Sequence, residues 1–284
     1  MSQSVSRAHH PVVAFITDFG LGDGDVGVMK GVVLGIVPDA HVIDITHEVA
    51  PQNVASGAWI LASGYRYFPK GTVFNCVVDP GVGSVRRPIA VHAGDWFFVG
   101  PDNGLFSYVL AEQPVHDIVV LSNPAYHLSQ ISSTFHGRDI FSPAAAHIAN
   151  GVALTELGEK LAPADLVRLD LELAKRQGER VEASVIHVDN FGNLITSIPL
   201  SLVPELFSSS QAQLSFTEKG ITITERRRFF SDLPEAERNN ANESHPFIYG
   251  DSAGYVGIAI RNGNASKTLG VGYADPITLV LLNK

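Results

Sequence analysis

Three short apolar segments decide the fold: VVAFITD (Val12–Asp18), HVIDIT (His41–Thr46) and TVFNCVVD (Thr72–Asp79). Each is a run of strand length rich in β-branched or aromatic residues and reads as a strand, the first as a buried one. Between the first two, Val26, Val28-Met29, Val32-Val33 and Ile36-Val37 recur at helical spacing until Pro38 stops them. Between the second and third, Val54 to Phe68 reads as a helix ended by Pro69-Lys70-Gly71. Strand–helix–strand–helix–strand predicts a parallel sheet with crossover helices. Working outward, Pro88–Ala93 and Trp96–Val99 read as two strands joined by a Gly94-Asp95 turn, and Gly104–Glu112 and Ile140–Asn150 as helices. The stretch from Thr155 to Arg180 is more charged and reads as a connection. From Val181 the texture changes. Ala183–Val188, Leu194–Ile198, Gln213–Phe216, Ile221–Thr224, Tyr255–Ile260 and Pro276–Leu282 all read as strands, with no strong helix among them. The fold class expected is α/β: an N-terminal α/β domain over 1–175 with a mainly parallel sheet, a linker at 176–180, and a smaller C-terminal β domain over 181–284. Glu235–Ser244 is polar and reads as an exposed loop.

Composition narrows the function. Apolar residues make up 45% of the 284 and charged residues 17%, enough for a full core, and the formal net charge is −9. An acidic chain lacks the electrostatic footprint of a nucleic-acid binder. Its one dense basic run, Glu225-Arg226-Arg227-Arg228, reads as a solvated face. A single cysteine, Cys76, excludes a disulfide framework and a cysteine-cluster metal site. The opening MSQSVSRAHHP has no apolar h-region, and no apolar stretch is long enough to span a bilayer. These features predict a soluble, cytoplasmic protein without nucleic-acid or membrane partners.

Carboxylates gather near the strand ends at Asp18, Asp44 and Asp79. In open α/β sheets, ligands bind beyond the carboxyl ends of the strands, although aspartate also caps helices and makes turns. Gly22-Asp23-Gly24-Asp25-Val26-Gly27 matches a dinucleotide fingerprint. Asp18, Asp23 and Asp25 crowd the helix N-terminus where a pyrophosphate would sit, so self-capping by these acids is expected instead. The same three could suit a hard divalent cation. Asp79 and Arg86 lie seven apart across a Pro-Gly turn, close enough for their side chains to meet, and Ser133-Thr134-Phe135-His136-Gly137-Arg138-Asp139 presents a histidine ahead of a helix.

The strings ITDFG, VVDPGVGS, VGPDNGL, TFHGRDIF and HVDNFGNLITSI occur in this order. With the Gly-Tyr-Val segment near the end, the chain resembles the S-adenosylmethionine hydroxide adenosyltransferase family, the hydrolytic relative of the fluorinase and chlorinase. The resemblance spans about residue 12 to 280. It implies an N-terminal α/β domain joined to a C-terminal β-barrel, and a homotrimer with substrate held between the N-domain of one subunit and the C-domain of its neighbour. It implies displacement at C5′ of S-adenosylmethionine by water or hydroxide, giving adenosine and L-methionine with no cofactor. It places the water-activating set on Asp79, Arg86 and His136, and the ribose-holding acid on Asp18. Thr134 and Phe135 fall on the nucleoside pocket, and Asp189 on the acid for the methionine amino group. Phe191 and Asn193 fall on adenine contacts, Ser252 on the methionine end, and Ile260 and Asn262 on positions whose backbone meets adenine. Val82 joins Phe135 as an expected apolar wall.

Four departures separate the chain from the halogenases. Gly137 stands where a serine helps bind halide, Gln52 where a tryptophan lies beside the ribose, and Ala253 where an arginine follows the C-terminal serine. The long insertion before the Pro-Asp-Asn-Gly stretch is absent, since only Gly94-Asp95 separates the two strands. The expected activity is therefore S-adenosyl-L-methionine hydrolase. The alternatives are a sensor of S-adenosylmethionine or adenosine without turnover, a halogenase, and a metal-dependent phosphohydrolase built on Asp18, Asp23 and Asp25. Either His136 or Asp79 could take the proton from water.

Overall fold

The computed structural model describes residues 10–171, 173–228 and 245–282. The loop expected at Glu235–Ser244 lies outside them. The chain divides into two compact units, Met1–Asp170 and Leu171–Lys284.

The first unit contains β1 (Val12–Thr17), α1 (Asp25–Ile36), β2 (His41–Thr46), α2 (Val54–Gly64), β3 (Val73–Val77), β4 (Pro88–Ala93), β5 (Trp96–Pro101), α3 (Ser107–Glu112), β6 (Val115–Val120) and α4 (Ser142–Ala149). Its sheet has the order β2-β1-β3-β5-β4-β6. The first four are parallel neighbours, and β4 runs antiparallel to both β5 and β6. Successive side chains of a strand point to opposite faces. Val13 and Phe15 therefore pack with Met29 and Val33 of α1 and Ala144 and Ala145 of α4. Ala14 and Ile16 pack with Ala58 and Leu61 of α2. Helices cover both faces, which is why β1 and β3 read as continuous rather than alternating apolar runs. The sequence pattern gives no strand at 115–120, because His116-Asp117 interrupts it. As β6 lies at the sheet edge, it can hold an exposed His116 there.

The second unit contains β7 (Lys175–Gln177), β8 (Arg180–Val188), β9 (Leu194–Pro199), β10 (Gln211–Phe216), β11 (Ile221–Ile223), β12 (Pro246–Gly250), β13 (Tyr255–Ile260), α5 (Ala265–Leu269) and β14 (Pro276–Leu282). The order β11-β10-β14-β8-β9-β13-β12 is antiparallel throughout, with β7 paired to β8. β7 runs into the stretch expected to be a linker, covering 176 and 177. The sequence pattern also misses β12 and the short α5, which Asn264 caps through the Lys267 N–H and Gly270 ends at φ +63°.

The two ends of this sheet nearly close into a barrel through the segment after β11. Arg226 bridges Ile248 in parallel, the Arg227 N–H donates to the Ile248 carbonyl (2.9 Å), and the Ile248 N–H donates to that of Glu225 (2.8 Å). This overturns the solvated reading of the basic run at Arg226 and Arg227, while Arg228 is exposed. Arg227 is 1% exposed, lies 4.3 Å over the Phe247 ring, and donates from Nε to Glu225 Oε1 at 2.5 Å. The Arg226 Nη1 donates to the Leu206 and Ser209 carbonyls at 2.8 and 3.0 Å. Burial is tolerable here because each guanidinium meets acceptors or an aromatic face.

Candidate active site

In the first unit, β1 has β2 on one side and β3 on the other, so successive crossovers leave the sheet in opposite directions. That reversal opens a crevice at the carboxyl ends of β1 and β3. Asp18 follows β1 directly, and Asp79 follows β3 by two residues. Asp18 does not cap α1. Its Oδ2 accepts the Gln52 N–H at 2.7 Å, with Gln52 held at φ +63°. Asp44 is not at a strand end but inside β2, 2.5 Å from Lys30 Nζ and 2.9 Å from His47 Nε2.

Asp79 does more than shape a turn. The Arg86 Nε lies 2.9 Å from each of its carboxylate oxygens, and Arg86 Nη2 also bonds to Oδ2. The same Nη2 donates to His136 Nδ1 at 2.8 Å. Three residues from two distant loops thus form one hydrogen-bonded chain. The side chains of Asp79 and Arg86 are only 4% and 9% exposed. Arg86 Nη1 is buried and has no hydrogen-bond partner among the described residues. The Arg86 guanidinium also lies 5.2 Å from the Phe141 ring centroid. The neighbouring Arg87 turns away, donating to Asp102 at 2.9 and 2.6 Å. The VGPDNGL string braces the site from behind, since Asn103 Nδ2 donates to the Val78 carbonyl at 2.8 Å.

The His136 loop is fixed by buried polar groups. Ser142 Oγ accepts from Asn75 Nδ2 on β3 (3.2 Å) and donates to the Gly137 carbonyl (2.8 Å). Fully buried Asp139 accepts from the Ser132 N–H (2.8 Å) and Arg138 Nε (2.6 Å). Burial works to raise the Asp139 pKa, but those donors outweigh it and hold the carboxyl below the usual range. Phe135 meets Phe19 edge-on at 6.0 Å. The His136 pKa is lowered, first by burial and then by the Arg86 charge. Val82 is partly buried and Thr134 exposed; no side-chain hydrogen bond ties Thr134 to this group among the described residues.

The acids ahead of α1 do not cap it. Gly24 occupies the N-cap, and no side chain accepts from the first turn. Self-capping fails because Asp23 precedes the cap and Asp25 lies within the helix, whereas the cap position itself needs the side-chain acceptor. Among the described residues no three His, Cys, Asp or Glu side chains gather in a metal-binding cluster.

The second unit holds a cavity of about 780 Å³. Asp189, Phe191, Asn193, Ser252, Ile260 and Asn262 all line it, the full C-terminal set expected from the sequence. The turn between β8 and β9 positions the first three. Asp189 Oδ1 accepts the N–H groups of Phe191 and Asn193 at 2.9 and 2.8 Å, and its Oδ2 accepts from Asn193 Nδ2 at 2.8 Å. Phe191 is left 75% exposed, presenting a bare ring. Asn262 sits at φ +53° in the turn after β13. Sequence reasoning missed Arg228, Tyr249 and Asp251, which line the same cavity. Tyr249 and Asp251 lie within three residues of Ser252, which was already singled out, so the signal was adjacent. Arg228 carried no signal, because its run looked like ordinary surface charge.

Residues 13–158 match the SAM hydroxide adenosyltransferase N-terminal domain, and 183–278 the C-terminal domain. The chain is 38% identical to an (R)-S-adenosyl-L-methionine hydrolase of Salinispora tropica, over 93% of this chain and 96% of the relative. Similarity to a fluorinase of an Actinoplanes species is lower, 27% over 88% of this chain and 91% of that enzyme. Among solved structures, that of an uncharacterised conserved protein from Thermotoga maritima matches with a TM-score of 0.85 and 35% identity, covering 94% of this chain and 99% of that one. With both domain signatures matched in order along nearly the whole length, the chain belongs to the SAM hydroxide adenosyltransferase family.

Proposed function

We propose that this protein hydrolyses S-adenosyl-L-methionine to adenosine and L-methionine, by attack of water or hydroxide at C5′. The observation that carries this reading is the Asp79–Arg86–His136 chain at the sheet's switch point, together with hydrolase relatives more similar than the fluorinase. The halogenase alternative is disfavoured at the same place: Gly137 carries no hydroxyl for a halide and is buried.

The leaving group is a neutral thioether, so no acid is required. The demand is to place and activate water. Arg86 is always protonated, so it donates to His136 Nδ1, and a neutral His136 must carry its proton on Nε2. That tautomer makes His136 a donor that orients water, and leaves Asp79 as the proton acceptor. The unpartnered Arg86 Nη1 is a preorganised donor for developing hydroxide. Attack of an anion on a sulfonium annihilates opposite charges, and surroundings such as Phe135 and Val82, which keep water from stabilising the separated ions, favour that step. In this reading Asp18 holds the ribose, Thr134 and Phe135 line the nucleoside, Phe191 and Asn193 hold adenine with the backbone at Ile260 and Asn262, and Asp189 and Ser252 meet the methionine end. The assembly is a homotrimer, with the first unit of one subunit facing the second unit of its neighbour, and no cofactor or metal takes part.

Chromatography of S-adenosylmethionine incubated with the protein tests the activity. Adenosine and methionine are expected in equal amounts, indifferent to chloride and to a chelator. Chlorinated adenosine would instead establish a halogenase, chelator-sensitive turnover a metal enzyme, and adenosine binding without product a sensor.

The pH profile is a second test. Turnover needs neutral His136, whose pKa is held below the usual 6.5 by burial and by Arg86. The acid limb of kcat is therefore expected below 6.5, and a limb above it would contradict the neutral-donor role. Stability follows the same sign. The unfolded chain takes up this proton at higher pH than the folded one, so folding weakens as pH falls below about 6.5.

A further inference from the structure

Three charged side chains line the cavity of the second unit: Asp189, Asp251 and Arg228. The amino-acid end of the proposed substrate is a zwitterion and needs an anion for its ammonium and a cation for its carboxylate. Asp189 already accepts three hydrogen bonds from its own turn. Asp251 accepts only one, from the Ala253 N–H to Oδ1 at 2.6 Å, and its other oxygen makes no hydrogen bond among the described residues. Ala253 supplies no charge, and its N–H is already used. Of the basic run, Arg226 is held by Leu206 and Ser209, and Arg227 by Glu225 and Phe247. Arg228 alone of the three turns to the cavity, and it has no hydrogen bond or ion pair among the described residues. The barrel-closing bridge at Arg226–Ile248 fixes the backbone two residues before it.

We propose that Arg228 binds the α-carboxylate of the substrate, while the unpaired oxygen of Asp251 joins Asp189 in meeting the α-ammonium. A guanidinium fork matches a carboxylate in shape as well as charge. Arg228 is a binding residue for the end of the substrate remote from C5′, so it acts on affinity and not on the displacement itself. The inference rests on the hydrolase reading.

The test compares Arg228→Gln and Arg228→Lys with the unaltered protein on two substrates: S-adenosylmethionine and its analogue lacking the carboxylate. Arg228→Gln is expected to raise the KM for S-adenosylmethionine by roughly ten- to a hundredfold, the range of a charge-assisted hydrogen bond, with kcat changed less than about twofold. Arg228→Lys should recover part of the loss. On the carboxylate-free analogue, variant and unaltered protein should be indistinguishable. An equal loss on both compounds, or none on either, overturns the assignment. Equilibrium binding of the same two compounds gives the same comparison without turnover. Absence of adenosine from the unaltered protein would thus defeat the hydrolase reading while the role of Arg228 is still decided.

Discussion

Arg86→Ala is expected to lower kcat by about 10²–10³-fold while adenosine still binds, because it removes a preorganised donor from the place where hydroxide develops. The variant also strips the partner from Asp79, whose side chain is 4% exposed. Breaking a buried pair from one side costs about 3–5 kcal/mol, since the remaining charge is uncompensated. A loss of activity could therefore reflect unfolding, and a second variant separates the two causes. Asp79→Asn combined with Arg86→Gln removes both charges and leaves neutral groups able to bond to each other. It should melt closer to the unaltered protein than Arg86→Ala does, yet remain as inactive. Asp79→Ala and His136→Ala should likewise cut turnover and spare adenosine binding. Near-normal kcat in the folded double variant would remove the trio from the chemistry.

The parallel sheet was legible because β1 and β3 are buried on both faces, which forces short continuous apolar runs, and because helical spacing separates them from the edge strand β2. Elements at the margins were not. β6 carries His116-Asp117 because an edge strand tolerates exposure, and α5 owes its single turn to an Asn264 cap and a Gly270 stop rather than to periodicity. Among the site residues, Asp79 and Arg86 could be paired from their spacing across a turn, and the structure joins them. Their bond to His136 could not be read that way, since it spans 50 positions and joins two loops that only the folded sheet brings together. Arg228 shows the limit most clearly. Three consecutive arginines have the same composition whether solvated or closing a barrel, and only the pairing of Arg226 with Ile248 distinguishes them.

Gly83→Ala should disable the enzyme from outside the trio. Gly83 lies in the Asp79–Arg86 loop at φ +74°, and a Cβ there would sit 2.3 Å from the Ser133 carbonyl oxygen and 3.3 Å from its carbon. Both sides of that clash are backbone, so no side chain can swing aside. The loops must separate by about an ångström, and the Arg86 Nη2 to His136 Nδ1 bond of 2.8 Å crosses the same gap. Misplacement on that scale is worth roughly a hundredfold in rate. Part of the damage is local, because a left-handed alanine costs about 1–2 kcal/mol wherever it stands. Gly71→Ala isolates that part: Gly71 has φ +82° and open space within 4 Å of its Cβ position. Both variants should lose a few degrees of Tm, but only Gly83→Ala should lose kcat by about a hundredfold. Equal kcat in the two variants would show that the spacing of these loops does not govern turnover, and the case for water held between Arg86 and His136 would fall with it.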